Sequence, residues 1–137
     1  LDENNSELLS LISKNNLESN TILLGRQKNM PQILSIIDVI LFTSYSESFP
    51  NVVAEAMLCK VPVIGNDVGD IKDIISNYGW VTESVSSNHI LAKIFEFEKL
   101  INSDKNWKIF QNNCREHIIK NFDMLKMKKS FNKVWSA

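Results

Sequence analysis

Apolar residues along this chain change spacing several times, and each change predicts an element. Leu8, Leu9, Leu11 and Ile12 recur at helical spacing and stop near Lys14-Asn15-Asn16, which predicts a first helix. Thr21-Ile-Leu-Leu-Gly25 is a short apolar run closed by glycine and is expected as a buried strand. Pro31 fits the first turn of a helix, with Asn29 as N-cap and Ile33, Leu34 and Ile37 facing inward. Asp38-Val-Ile-Leu-Phe-Thr43 is almost uninterruptedly apolar, as expected of a strand covered on both faces. Pro50 opens a helix reaching about Leu58. Val61-Pro-Val-Ile64 predicts a third strand, and Gly65 starts a loop through Asp67, Val68 and Gly69. A short helix follows with Ile71, Ile74 and Ile75 inward, then a fourth strand at Gly79-Trp-Val-Thr82. Ser86 or Ser87 caps a helix carrying Ile90, Leu91, Ile94, Phe95 and Phe97.

Strands alternating with helices predict an α/β fold, a Rossmann-like parallel sheet with helices on both faces. From Asp104 onward the spacing is helical only, broken near Asn121-Phe-Asp123. Two terminal helices are expected, Trp107 to Lys120 and Met124 to Trp135, anchored onto the sheet by Trp107, Phe131 and Trp135. The organisation is therefore read as residues 1–103, the sheet domain, and 104–137, the helices packing on it. Four strands are fewer than the roughly six of a doubly wound sheet, so the sheet is expected to be incomplete on its N-terminal side.

Bulk properties narrow the function. With 137 residues, 44% hydrophobic and 23% charged, the chain has room for one domain and a moderate core. A net charge of −1 gives no basic field for nucleic acid, and no apolar run approaches the roughly 20 residues of a membrane span. Leu1 is not an initiator methionine and no leader is visible, so an excised domain or processed fragment is expected. Cys59 and Cys114 have no zinc-ligand spacing; a reducing cytoplasm is the expected setting, with Cys59 as a buried free thiol. His89 and His117 have no acid or nucleophile beside them in sequence and read as surface or half-buried side chains.

The chemistry concentrates between Glu47 and Glu55, two carboxylates separated by seven residues, Ser-Phe-Pro-Asn-Val-Val-Ala. They follow a strand at the edge where open α/β sheets take ligands. A loop comes next, then a helix opening at Pro50 whose free N–H groups and positive dipole end suit a phosphate. The glutamates supply acceptors for sugar hydroxyls near that phosphate. No Asp-x-Asp pair is present to hold a divalent ion, so neither metal nor cofactor is expected. Read without their neighbours, Glu47 is a solvated loop carboxylate, Glu55 an exposed helix residue or a partner for Lys60, and Asn51 a side chain bonding within the first helical turn.

Gly25-Arg26, Met30-Pro31, Ile37-Asp38, Ser44, Glu47-Ser-Phe-Pro-Asn51, Glu55-Ala-Met57, Val61-Pro-Val63 and Asp67-Val-Gly69 occur in that order. The series resembles the C-terminal, donor-binding domain of GT-B retaining glycosyltransferases of family four, over about Leu23 to Val81. A weaker similarity at Asn113-Cys-Arg-Glu and Asn121-Phe matches the helix ending that domain. The resemblance implies half of a GT-B fold, N-terminally truncated, that binds a nucleotide-diphosphate sugar. It implies that Glu55 accepts hydrogen bonds from the ribose hydroxyls and that Glu47 faces the donor sugar as the catalytic candidate. The backbone from Ser48 through Phe49 and Pro50 to Asn51 would meet sugar and pyrophosphate, Gly69 would lie near the sugar, and Arg26 and Gln27 beside the base. Bacterial surface polysaccharide or glycolipid synthesis is the implied setting. The family's Arg and Lys phosphate contacts lie ahead of Leu1 and its acceptor-binding domain is missing, so the fragment alone is expected to be inactive.

The sequence departs from the family pattern at Ser48, Lys60 and Asp70, where glycine is usual, and at Asp73, usually Glu. A Cβ at Ser48 restricts the backbone there, though its hydroxyl is expected to cap the following helix. Asp70 brings a carboxylate where family members bring bare backbone, which bears on donor choice. The Lys126-Met-Lys-Lys129 run reads as a solvated face or, for a lipid-linked acceptor, a peripheral contact with membrane phospholipid at the inner face. Two other readings stand beside the transferase: a nucleotide-sugar epimerase of the same fold, and a non-enzymatic α/β binding module.

Overall fold

The structure, a computed structural model, describes residues 5–135 apart from the side chain of Ser130. The chain divides into two compact units, 1–30 and 31–137. In the first, helix α1 (Ser6–Lys14) is capped by Asn5, whose side chain accepts from the Leu8 N–H at 3.0 Å. Asn16 ends it in the left-handed region (φ 54°), and the Leu17 N–H returns to the Ile12 carbonyl. A 3₁₀ turn at Glu18–Asn20 follows. The strand expected over Thr21–Gly25 does not form, because the sheet consists of three later strands and a strand exists only through its ladder. Ile22, expected to be buried there, is 84% exposed. Helix α2 (Met30–Leu34), all but Met30 of it in the second unit, buries Leu34 but stops short of Ile37, which was expected on its inward face.

In the second unit the order is β1 (Ile40–Phe42), α3 (Asn51–Leu58), β2 (Val63–Asn66), α4 (Ile71–Ile75), β3 (Trp80–Thr82), α5 (Ser87–Ile101), α6 (Asp104–Asn121) and α7 (Met124–Trp135). The strands are parallel in the order β1-β2-β3, with Ile40 opposite Val63 and Ile64 opposite Trp80, and helices lie on both sides. This register brings Phe42 opposite Gly65 and Asn66 opposite Thr82, so the loops that leave the three strands share one edge. Central β2 is buried along its whole length. Leu41 of β1 is 49% exposed, so this edge strand is not covered on both faces as its composition suggested.

The core is built where the sequence placed it. Ile71, Ile74 and Ile75 are fully buried on α4, as are Val53, Ala56 and Met57 on α3; each large aliphatic side chain so buried is worth roughly 1.5–3 kcal/mol. Gly79 is forced by packing, since a Cβ there would come within 2.5 Å of the Val63 carbonyl oxygen. Ser86 caps α5, its hydroxyl accepting from the His89 N–H.

Helix α6 closes the unit chemically as well as sterically. Arg115 donates to the Leu58 carbonyl in the last turn of α3. His117 Nε2 lies 3.0 Å from the Ile74 carbonyl near the end of α4. Both satisfy carbonyls that a helix end leaves unpaired. Trp107 is buried, and its ring joins Phe110, Phe97 and Trp80 in a cluster linking α6, α5 and β3. Phe131 and Trp135, expected as further anchors, are 56% and 84% exposed: α7 buries neither. Their apolar stripe with Met127 and Val134 lines an open groove of about 230 Å³ instead.

Candidate functional site

The site is built from two loops leaving adjacent strand ends. The first runs from Ser44 to Pro50, the second from Asp67 to Asp70. They are clasped by backbone. The Asp70 N–H donates to the Ser48 carbonyl at 2.9 Å. Gly69 takes φ 53° and approaches so closely that a Cβ would lie 2.4 Å from the carbonyl oxygens of both Glu47 and Ser48. No side chain fits there, whatever its chemistry. Ser48 and Asp70 lie outside the left-handed region, so the usual glycines at those two positions are not required by this backbone.

Glu47 is exposed, and its carboxylate accepts from the Ser44 hydroxyl at 2.8 Å. Ser44 is held in turn by buried Asn66, whose Nδ2 donates to the Ser44 carbonyl at 2.7 Å. Ser48 does not cap α3, contrary to expectation. Pro50 occupies the N-cap position with no side-chain bond, because the chain enters the helix two residues beyond Ser48. The Val53 N–H closes on the Pro50 carbonyl, while the N–H groups of Asn51 and Val52 precede the first intrahelical acceptor and remain available.

On α3, Val53, Ala56 and Met57 face the core, whereas Asn51 and Glu55 are exposed. Positions four apart share a helix face, so Glu55 lies one turn below Asn51 on the solvent side. Among the described residues Glu55 forms no ion pair, with Lys60 or any other cation. Phe49, 39% exposed, packs its ring against Phe122 at 5.8 Å. Together with Asn51 these rings line a cleft of about 530 Å³ shared with Asn121, Asp123 and Lys126. The corner between α6 and α7 therefore forms one wall beside the Phe49 loop. The weak Asn121-Phe signal was the only hint of this in the sequence.

Glu47, Ser48, Phe49, Pro50, Asn51, Glu55 and Gly69 thus belong to one contiguous region of the second unit. Arg26 and Gln27 belong to the first. Both are exposed in the bend after Gly25 (φ 58°), and Gln27 donates to the Leu24 carbonyl. Asn66 was missed, since an asparagine after an apolar strand carries no distinctive signal. Cys59 is half-buried at the C-cap of α3 rather than buried, and Cys114 is the fully buried thiol; desolvation pushes its pKa from 9.0 up to about 12.

Residues 2–117 match the family described as glycosyl transferases group 1. The chain belongs to this family. The N-acetyl-alpha-D-glucosaminyl L-malate synthase of Bacillus anthracis is 39% identical over 70 residues, 51% of this chain and 18% of that protein. The UDP-Gal:alpha-D-GlcNAc-diphosphoundecaprenol alpha-1,3-galactosyltransferase of Escherichia coli is 26% identical over 117 residues, 81% and 28% respectively. Among solved structures, Anabaena HepE in complex with UDP and glucose superposes with a TM-score of 0.80 at 26% identity, covering 95% of this chain and 35% of that one. The group 1 chain accordingly spans a third or less of the curated relatives' length, and its fold is that of a C-terminal GT-B domain.

Proposed function

We propose that this chain is the donor-binding part of a retaining glycosyltransferase that moves a sugar from a nucleotide-diphosphate sugar to an acceptor. The observation that carries the reading is the clasp of the two loops at one sheet edge. It fixes Glu47 and the Phe49–Asn51 backbone ahead of an uncapped helix start, with Glu55 one turn along the same helix. Open α/β sheets take ligands at this edge. The amide end of α3 is suited to the diphosphate, and as the C–O bond breaks its preorganised N–H groups stabilise the departing charge, a type of contribution worth several kcal/mol. Glu55 accepts from the ribose hydroxyls, Glu47 faces the sugar, and Gly69 and the Ser48–Asn51 backbone enclose it. The donor is a substrate, and no cofactor is assigned.

Family membership favours this reading over the epimerase and the non-enzymatic module. The names of the relatives support a nucleotide-sugar donor and, for one, a lipid-linked acceptor, which fits surface polysaccharide or glycolipid synthesis. The acceptor belongs to a separate domain of the parent protein. No helix among the described residues is long and apolar enough to cross a membrane. The Lys126–Lys129 run, exposed on α7, suits a peripheral contact with anionic phospholipid at the cytoplasmic face.

Titration calorimetry of the full-length protein with UDP- and GDP-sugars tests the reading. Saturable binding is expected with one nucleotide, weakened on the order of tenfold to a hundredfold in Glu55→Ala, the usual cost of a hydrogen bond to a charged group. A folded protein that binds no nucleotide sugar would refute it.

A further inference from the structure

Asn66 is 6% exposed at the end of β2, and its amide is the one described side chain with a buried polar atom, Oδ1, that has no partner. Its orientation is fixed by chemistry. The atom 2.7 Å from the Ser44 carbonyl must be the donor, which places nitrogen there and leaves oxygen unpaired. Burying an acceptor without a partner is costly, and an apolar residue of similar size would avoid that cost. What the amide provides in return is the hold on Ser44, and Ser44 is the residue whose hydroxyl grips the Glu47 carboxylate at 2.8 Å. The other two ties between the loops, Asp70 N–H to Ser48 carbonyl and the close approach of Gly69, are made by backbone and fix the main chain of the turn. Neither reaches the Glu47 side chain.

We infer that Asn66 is a positioning residue for transfer: through Ser44 it sets where the Glu47 carboxylate stands relative to the donor sugar. The inference rests on the donor-site reading above. It assigns Asn66 no contact with substrate. It predicts that the Asn66–Ser44–Glu47 line governs the chemical step and leaves nucleotide affinity to Glu55 and the α3 amides.

The test uses the full-length enzyme with a nucleotide-sugar donor. Asn66→Asp keeps the shape but loses the donor that Ser44 needs, and Ser44→Ala removes the hydroxyl from a site that is less buried, guarding against a variant that fails to fold. Each folded variant is expected to lower kcat on the order of tenfold to a hundredfold, the scale on which small misplacements act, with donor Kd within about twofold of wild type. In a Glu47→Gln background the same substitutions are expected to add little, because residues acting as one unit are non-additive. Unchanged kcat in both variants, or losses that multiply in the Glu47→Gln background, would overturn the positioning role. Wild-type protein that binds no nucleotide sugar at all would instead remove the donor-site reading itself.

Discussion

Lys60 follows the C-cap of α3 with φ 67°, and two backbone bonds wrap the helix end around it: its own N–H to the Met57 carbonyl and the Val61 N–H to the Ala56 carbonyl. This is a Schellman ending, which favours glycine because a Cβ crowds the left-handed conformation. Lys60→Gly is therefore expected to stabilise the fold by about 1 kcal/mol, read as a higher urea midpoint with unchanged slope. The departure from glycine at 60 was legible in the sequence and has a conformational meaning. The departures at Ser48 and Asp70 were equally visible, yet neither residue needs a positive φ. What the sequence does not disclose is which of several turn positions lies in the left-handed region, since that follows from how two loops meet. Glu47 and Glu55 were legible as a pair because their spacing survives in one dimension; Asn66 matters only through contacts 22 positions away.

Elements whose pattern combines length with a clear start signal formed close to expectation. The helix expected at Pro50 runs from Asn51 to Leu58, and the one capped by serine runs from Ser87 to Ile101. The elements that differed depend on a partner. Thr21–Gly25 has the composition of a strand without a ladder, and α7 has an amphipathic pattern whose apolar side is left uncovered among the described residues. Composition reports the tendency to be buried and says nothing of what does the burying. Helix α6 is the opposite case. Trp107 was read correctly as an anchor, but the helix begins three residues earlier, at Asp104, and its two polar reaches, Arg115 to α3 and His117 to α4, were not anticipated. Trp107→Ala removes the centre of the aromatic cluster and is expected to cost about 3–5 kcal/mol of stability, measured by chemical denaturation; a loss below 1 kcal/mol would mean that α6 is held mainly by its polar bonds.

For the molecule as a whole, the parallel α/β alternation was readable because strand–helix alternation leaves few ways to connect the chain, while the strand count, four expected against three formed, and the division at residue 30 were not. Cys114 offers a global probe. Its thiol is buried, with a pKa raised from 9.0 to about 12, so the unfolded chain sheds this proton first as pH rises. Its contribution to stability is full below pH 9 and is lost between 9.0 and about 12. Native protein at neutral pH is expected to react with a thiol reagent at Cys59 and not at Cys114 until urea opens the fold, as followed by peptide mass spectrometry; labelling of Cys114 in native buffer at the rate of Cys59 would contradict its burial. The contact between Gly69 and the carbonyls of Glu47 and Ser48 has a consequence for how such a protein diversifies. With no room for one methyl group between the loops, replacing Gly69 by any other residue would break the clasp, so variation at this edge falls to the side chains around an unaltered main chain.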